Sequence, residues 1–291
     1  MDSYAFDLPD PAQMQQRLGA ILPRFAQIRW VRQTGSTNHD LIEQARAPQG
    51  RLLKPWLLGA HHQTHGQGRA GRQWDNAPGT QLMFSCAFDV FLPSFRLPTL
   101  SVVTGMAACQ GLRSLLPAQQ AHQLSLKWPN DLMWGHAKLA GILTQVTRAH
   151  ASQFAKDHYV VIVGIGINLQ QAQMLSEKYQ RPIADWGQIC EAVPEVRSHP
   201  PERLVATIAH QWWQALNEVT THGFKALSSR YEQVDYLSQI PVNITDEGLI
   251  VNQGIAVGIN DQGQLLVQSG ADTQTISVGD VSVRLQAQDN L

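Results

Sequence analysis

The sequence predicts an α+β protein, with one mixed β-sheet flanked by helices and a small all-β domain after it. Three observations predict this. Strand-like and helix-like segments are mixed through roughly the first 236 residues. After that point the texture changes to short strand candidates separated by turn residues. The chain has 291 residues, 43% hydrophobic and 15% charged, which allows one large domain plus a small one, each with a buried core.

In chain order, residues within 11–29 can form a short helix, and 27–33 read as a first strand. Thr37-Asn38-His39-Asp40 has capping-box spacing, with Leu41, Ile42 and Ala45 following at helical intervals. Gly35-Ser36-Thr37 is then a strand-to-helix turn whose outward N–H groups suit an anion or polar ligand, or simply an ordinary helix cap. Residues 56–60 and 81–90 read as strands, separated by a glycine-rich basic loop over 61–78. A mostly apolar helix follows over 98–116. Alternation of Leu124, Leu126 and Trp128 puts Lys127 on the other face of a strand. Two strands joined by a polar turn cover 138–147 and 158–169, and 203–216 is helical. Residues 241–245, 249–259, 264–268, 273–277 and 281–285 are the short strands expected to form a β-barrel.

Lysines and arginines number 22 against 23 acids, for a formal net charge of −1. Duplex binding needs many neutralised phosphates, so no DNA partner is expected, although a local basic patch is compatible with this balance. Cys86, Cys109 and Cys190 are far apart and have no metal-ligand or disulfide-framework spacing, so they read as buried thiols of a reducing compartment. The start of the chain has neither a basic nor an apolar leader region, and the longest apolar run, 159–169, is too short to span a bilayer. A cytoplasmic protein with no membrane anchor is expected.

Four segments can carry chemistry. Gly66-Gln67-Gly68-Arg69-Ala70-Gly71-Arg72-Gln73-Trp74 formally matches a dinucleotide-binding fingerprint. No strand directly precedes it and no helix can start at Trp74-Asp75-Asn76-Ala77-Pro78, so that reading is rejected. Its glycines let backbone approach a ligand, and Arg69 and Arg72 offer forks for phosphate or carboxylate. A solvated basic loop is the plainer alternative. Lys127-Trp128-Pro129-Asn130-Asp131 delivers a lysine, an amide and a carboxylate at a strand end, or is a plain strand-to-turn. Lys138-Leu139-Ala140-Gly141 heads a strand whose small residues leave room for a flat ligand; a charged strand end is the alternative. In Gly164-Ile165-Gly166-Ile167-Asn168, alternate glycines clear one strand face and leave Asn168 on it, either as a ligand wall or as a close sheet–helix contact. His61 and His65 are four apart but lack the glutamate of a zinc-protease helix, so no metal site is expected.

In their order along residues 31–285, Ser36-Thr37-Asn38, Gln63, the Gly66–Arg72 loop and the three later segments resemble the biotin–protein ligases. The ending Gly279-Asp280-Val281-Ser282-Val283-Arg284 is similar too. The resemblance implies a class II synthetase-like catalytic domain over 31–236 and an SH3-like β-domain over 237–291. Residues 1–30 are an N-terminal extension, too short for the winged-helix repressor domain of some members. One departure stands out: Gln67 replaces the family's first loop arginine.

The implied activity is ATP-dependent formation of biotinyl-5′-AMP, then transfer of biotin to one lysine of a biotin carboxyl carrier protein, a subunit of acetyl-CoA carboxylase. Mg²⁺ comes with ATP. By resemblance, Ser36, Thr37, Asn38, Gln63, Gln67 and Gly68 bind biotin, with Trp128, Gly141 and Gly164 shaping its pocket. Lys138 and Arg69 hold carboxylate and α-phosphate. Arg72, Trp74, Lys127, Asn130, Gly166 and Asn168 line the ATP side, Trp186 covers adenine, and Asp131 orients or deprotonates the incoming lysine. The protein is expected as a monomer or homodimer. A lipoate–protein ligase or octanoyltransferase of the same fold is the nearest rival, and a non-catalytic biotin sensor is another.

Overall fold

Helix α1 (Pro11–Ile21) starts where Pro11 fixes the first turn and the Asp10 carboxylate accepts the Ala12 N–H at 2.9 Å. Met14 and Leu18, four residues apart, point into the core. The N-terminal segment is therefore packed against the first strand, β1 (Gln27–Thr34), and a domain boundary at residue 30 would cut that strand. The computed structural model describes residues 7–48, 53–148, 156–279 and 281–286. The leader-region reading of residues 1–6, most of the turn before residue 158, and Asp280 lie outside the described residues.

The chain continues through α2 (Thr37–Arg46), β2 (Trp56–Gln63), β3 (Gln81–Phe91), α3 (Leu100–Arg113), α4 (Ala118–Ala121), β4 (Leu124–Lys127), β5 (Asp131–Trp134), β6 (Ala137–Thr147) and β7 (His158–Asn168). Then come α5 (Ala172–Tyr179), α6 (Trp186–Ala192), α7 (Pro201–His222) and α8 (Leu227–Glu232). These strands form a seven-stranded mixed sheet in the order β1-β2-β3-β7-β6-β5-β4. Only β1 and β2 run parallel, joined through α2; the other pairs are antiparallel.

Period-two alternation decides which side each strand residue serves. On β3, Leu82, Phe84, Cys86 and Phe88 face the large core under α3 and α7, while Ala87 joins a smaller cluster beneath α2 with Leu41, Trp56 and Ile162. Cys86, Cys109 and Cys190 are buried free thiols. Lys127 ends β4, so Trp128 lies past the strand rather than on it. Trp128-Pro129-Asn130 form the turn, and Asp131 opens the short strand β5, which pairs with both β4 and β6. The apolar helix begins at Leu100, preceded by a 3₁₀ turn over 94–99 that contains Pro98.

The C-terminal region contains β8 (Pro241–Asp246), β9 (Leu249–Ile259), β10 (Leu265–Ser269), β11 (Asp272–Ile276) and β12 (Ser282–Leu285). They make a five-stranded antiparallel sheet in the order β11-β10-β9-β8-β12. This is the expected small β-domain, although among the described residues no pairing of β11 with β12 closes it into a barrel. Val242, Ile244, Leu265 and Val267 bury their side chains in the same core as α3 and α7. The turn at Asp261-Gln262-Gly263 docks on the larger domain: Thr99 Oγ1 donates to Gln262 O at 2.8 Å and Trp128 Nε1 to Gly263 O at 2.9 Å.

Candidate active site

A cavity of about 590 Å³ opens where the N-terminus of α2, the glycine loop, the β4–β5 hairpin, β6, β7 and β12 converge. It has two chemically different ends.

The inner end is neutral. Ser36, not Thr37, caps α2; its side chain faces the His39 N–H, and Thr37 is the first helical residue. Gln63 Oε1 accepts the Thr37 backbone N–H at 2.7 Å. Thr37 Oγ1 lies 2.7 Å from Ser85 Oγ, and Ser85 donates to Asn38 Oδ1 at 2.6 Å. Asn38 Nδ2 donates to Leu143 O at 3.2 Å and Gln145 Oε1 at 2.8 Å, which ties the helix start to β6. This approach requires glycine at 164, because a Cβ there would lie 2.0 Å from Asn38 Oδ1.

The middle is a platform. Gly141 and Gly166 are register partners across β6 and β7, and Trp74 lies against both. A Cβ on Gly166 would come within 2.6 Å of the indole. Trp74 Nε1 donates to Gln81 Oε1 at 2.7 Å, and Gln81 Nε2 donates to Asn168 Oδ1 at 3.1 Å.

The outer end is cationic. The glycine loop is folded: Gly68 N–H donates to Arg72 O at 2.7 Å, Trp74 N–H to Gly66 O at 2.8 Å, and Ala70 and Gly71 turn the chain with φ of 53° and 67°. Its arginines reach across to other elements. Arg69 donates to Asn130 Oδ1 at 3.3 Å and to Gly279 O, and Arg72 to Ser282 Oγ at 2.8 Å. Beyond the loop, Asp75 accepts from Lys178 and Tyr179 at the end of α5.

Lys127, Lys138, Arg181 and Arg284 complete a cavity wall in which Asp131 is the sole carboxylate among the described residues. Lys138 Nζ pairs with Asp131 at 2.7 Å. Burial pushes the Asp131 carboxyl up, but Lys138, Lys127 and Arg181 together hold it below its ordinary value. Burial lowers the Lys127 ammonium to about 8; Asp131 pulls it up, and Arg284, Lys138 and Arg181 push it down. A chain with net charge −1 thus concentrates fixed positive charge at one mouth, as a site that brings anions together requires.

Of the residues nominated from sequence, all but two line this cavity. Asn168 is buried and supports Trp74 through Gln81, while also donating to Ala184 O at 3.1 Å. Trp186 is fully buried in the core and is not among the residues lining the cavity. Sequence reasoning missed Ser85, Arg181 and Arg284. Ser85 shares the phase of Gln81 and Met83 on β3, so a polar residue on an otherwise buried face was the available signal.

Comparison with known proteins matches residues 30–168 to the biotin/lipoate A/B protein ligase family and residues 238–284 to the biotin protein ligase C-terminal domain. A biotin–[acetyl-CoA-carboxylase] ligase of Mycobacterium tuberculosis is 32% identical over 252 residues, 86% of each chain. One from Paracoccus denitrificans is 28% identical over 257 residues, 85% of this chain and 97% of that protein. Among solved structures, the biotin protein ligase of Aquifex aeolicus in complex with biotin and ATP superposes with a TM-score of 0.68 at 25% identity, covering 90% of this chain and 100% of that one. The chain belongs to the biotin protein ligase family.

Proposed function

We propose that this protein activates biotin with ATP as biotinyl-5′-AMP and transfers the biotinyl group to a lysine of a biotin carboxyl carrier protein. The observation that carries this reading is the two-ended cavity, with neutral hydrogen-bonding groups inside and a ring of cations at the mouth. A cyclic urea suits the inner end and a carboxylate meeting a triphosphate suits the outer end. The relatives named for this ligation, and the neighbour solved with biotin and ATP, support it.

In the first step a biotin carboxylate oxygen bonds to the α-phosphorus and the bond to pyrophosphate breaks. Both partners are anions, so fixed positive charge lowers the barrier without a protein nucleophile. Lys138, aimed by Asp131, lies where the two ends meet and neutralises charge on carboxylate and α-phosphate. Arg69 and Arg72 close over the phosphates, with Lys127 beside them. ATP brings its own magnesium ion; one carboxylate already paired to a lysine is no cage for a resident metal. In the second step the neutral amine of the carrier lysine attacks the acyl carbon, AMP leaves, and the amine loses a proton. The low pKa of Asp131 suits it to hold Lys138 and orient the amine rather than to act as a strong base.

Incubating the protein with ATP, biotin and a carboxyl carrier domain tests the reading. Intact-mass and peptide analysis should find one biotinylated lysine, dependent on ATP. A carrier left unmodified with biotin but modified with lipoate would move the protein to the rival ligase.

A further inference from the structure

We propose that Ser85 is a positioning residue that sets the hydrogen-bond polarity of the inner pocket, and so makes it selective for a cyclic urea over a cyclic carbamate. The inference rests on the biotin reading above and concerns a residue outside the groups that reading uses.

Each hydroxyl in this chain has one proton to give. Asn38 Nδ2 donates to the backbone carbonyl of Leu143, which can only accept, so the other terminal atom of this amide is the oxygen. That Oδ1 is 2.6 Å from Ser85 Oγ and must receive the serine's single proton. Ser85 is fully buried, so no solvent competes for that proton. With its proton spent, Ser85 can only accept from Thr37 Oγ1 at 2.7 Å. The Thr37 proton is therefore spent as well, in preference to the longer 3.1 Å contact with Gln63 Oε1. Gln63 is oriented independently. Its Oε1 takes the Thr37 backbone N–H at 2.7 Å, which leaves Nε2 as the donor, engaged among the described residues by the weak acceptor Met83 Sδ at 3.2 Å.

The result is a fixed pattern on two residues that line the cavity, with Thr37 Oγ1 as acceptor and Gln63 Nε2 as donor. A cyclic urea presents the complement, an N–H beside a carbonyl oxygen. A cyclic carbamate with ring oxygen in place of that N–H sets acceptor against acceptor. Without Ser85, only the longer 3.1 Å contact to Gln63 Oε1 holds the Thr37 proton, so the hydroxyl can turn to donate to a ligand and the discrimination fades.

The test measures direct binding of biotin and its two carbamate analogues, each with one urea N–H replaced by oxygen, to wild type and to Ser85→Ala. Wild type should prefer biotin over one carbamate by about tenfold or more. In Ser85→Ala that ratio should shrink by about fivefold or more, even if all affinities fall. A merely structural role would weaken all three ligands together and leave the ratio unchanged, which would overturn the inference. Ser85→Cys keeps the volume with a weaker donor and should give an intermediate ratio. Should Ser85→Ala fail to fold, an unchanged ratio in Ser85→Cys would overturn the inference equally. Wild type that binds no biotin would overturn the biotin reading itself, and this inference with it, whereas biotin binding with an unaltered ratio would overturn this inference alone.

Discussion

At the scale of single residues, the site depends on how few atoms it can spare. A Cβ on Gly164 has nowhere to go, because Asn38 Oδ1 and Ser85 Oγ both lie under 3.0 Å from its position. Gly164→Ala should displace Asn38 and cost biotin affinity about tenfold or more, measured by titration calorimetry. Lys138→Ala removes the cation between carboxylate and α-phosphate and strands Asp131 among the remaining charges. Adenylate formation should fall at least about 100-fold, read by single-turnover assay. Lys127 gives a signature in pH. Its charge is present below about 8 and lost above it, so the KM for ATP should rise as pH passes through that value. Lys127→Gln should show a high KM and a flat profile over the same range. Here the sequence was informative about membership of the site and poor on depth. Asn168 was nominated because it shares a phase with Gly164 and Gly166, but phase assigns a face and cannot say that Trp74 and Gln81 stand between it and the cavity. Ser85 was overlooked because one serine inside Leu-Met-Phe-Ser-Cys-Ala reads as strand filler until Asn38 and Thr37 are seen above it.

At the scale of elements, we propose that the glycine loop separates bound adenylate from water. It is held at three places: through Arg69 and Arg72 to Gly279 and Ser282, through Trp74 to the Gly141–Gly166 platform, and through Asp75 to the end of α5. Arg69→Gly should release biotinyl-AMP about tenfold faster or more, since one charge-assisted clamp on the phosphate is gone. The readout is biotinylation of lysines on a bystander protein. Labelling confined to the carrier would show that Arg69 does not retain the adenylate. The loop's composition was legible in sequence as an anion-grasping segment. Its folded form was not, because it depends on partners more than 200 residues away, such as Gly279 and Ser282. The strand order was equally out of reach, since β7 lies between β3 and β6 by long-range pairing that no local pattern encodes.

At the scale of the whole molecule, the C-terminal sheet is part of the site, because β12 contributes Ser282, Val283 and Arg284 to the cavity wall. Trp128 couples the two regions: it lines the cavity and its indole N–H holds Gly263 O. Trp128→Phe leaves that carbonyl unpaired at the domain contact, which should cost on the order of 1–3 kcal/mol. The expected consequence is a melting temperature lower by several degrees, with faster proteolysis between residues 237 and 241, as checked by calorimetry and limited digestion. The change of texture near residue 236 was visible in sequence because turn residues space the short strands. The docking of the Asp261–Gly263 turn on Thr99 and Trp128 was not, since it joins two ordinary-looking segments only in space. The central claim, that this cavity joins biotin to AMP, is tested most directly by exchange of labelled pyrophosphate into ATP with biotin or lipoate supplied. Exchange should require biotin and should not be supported by lipoate. Folded protein that catalyses no exchange with biotin would contradict that claim.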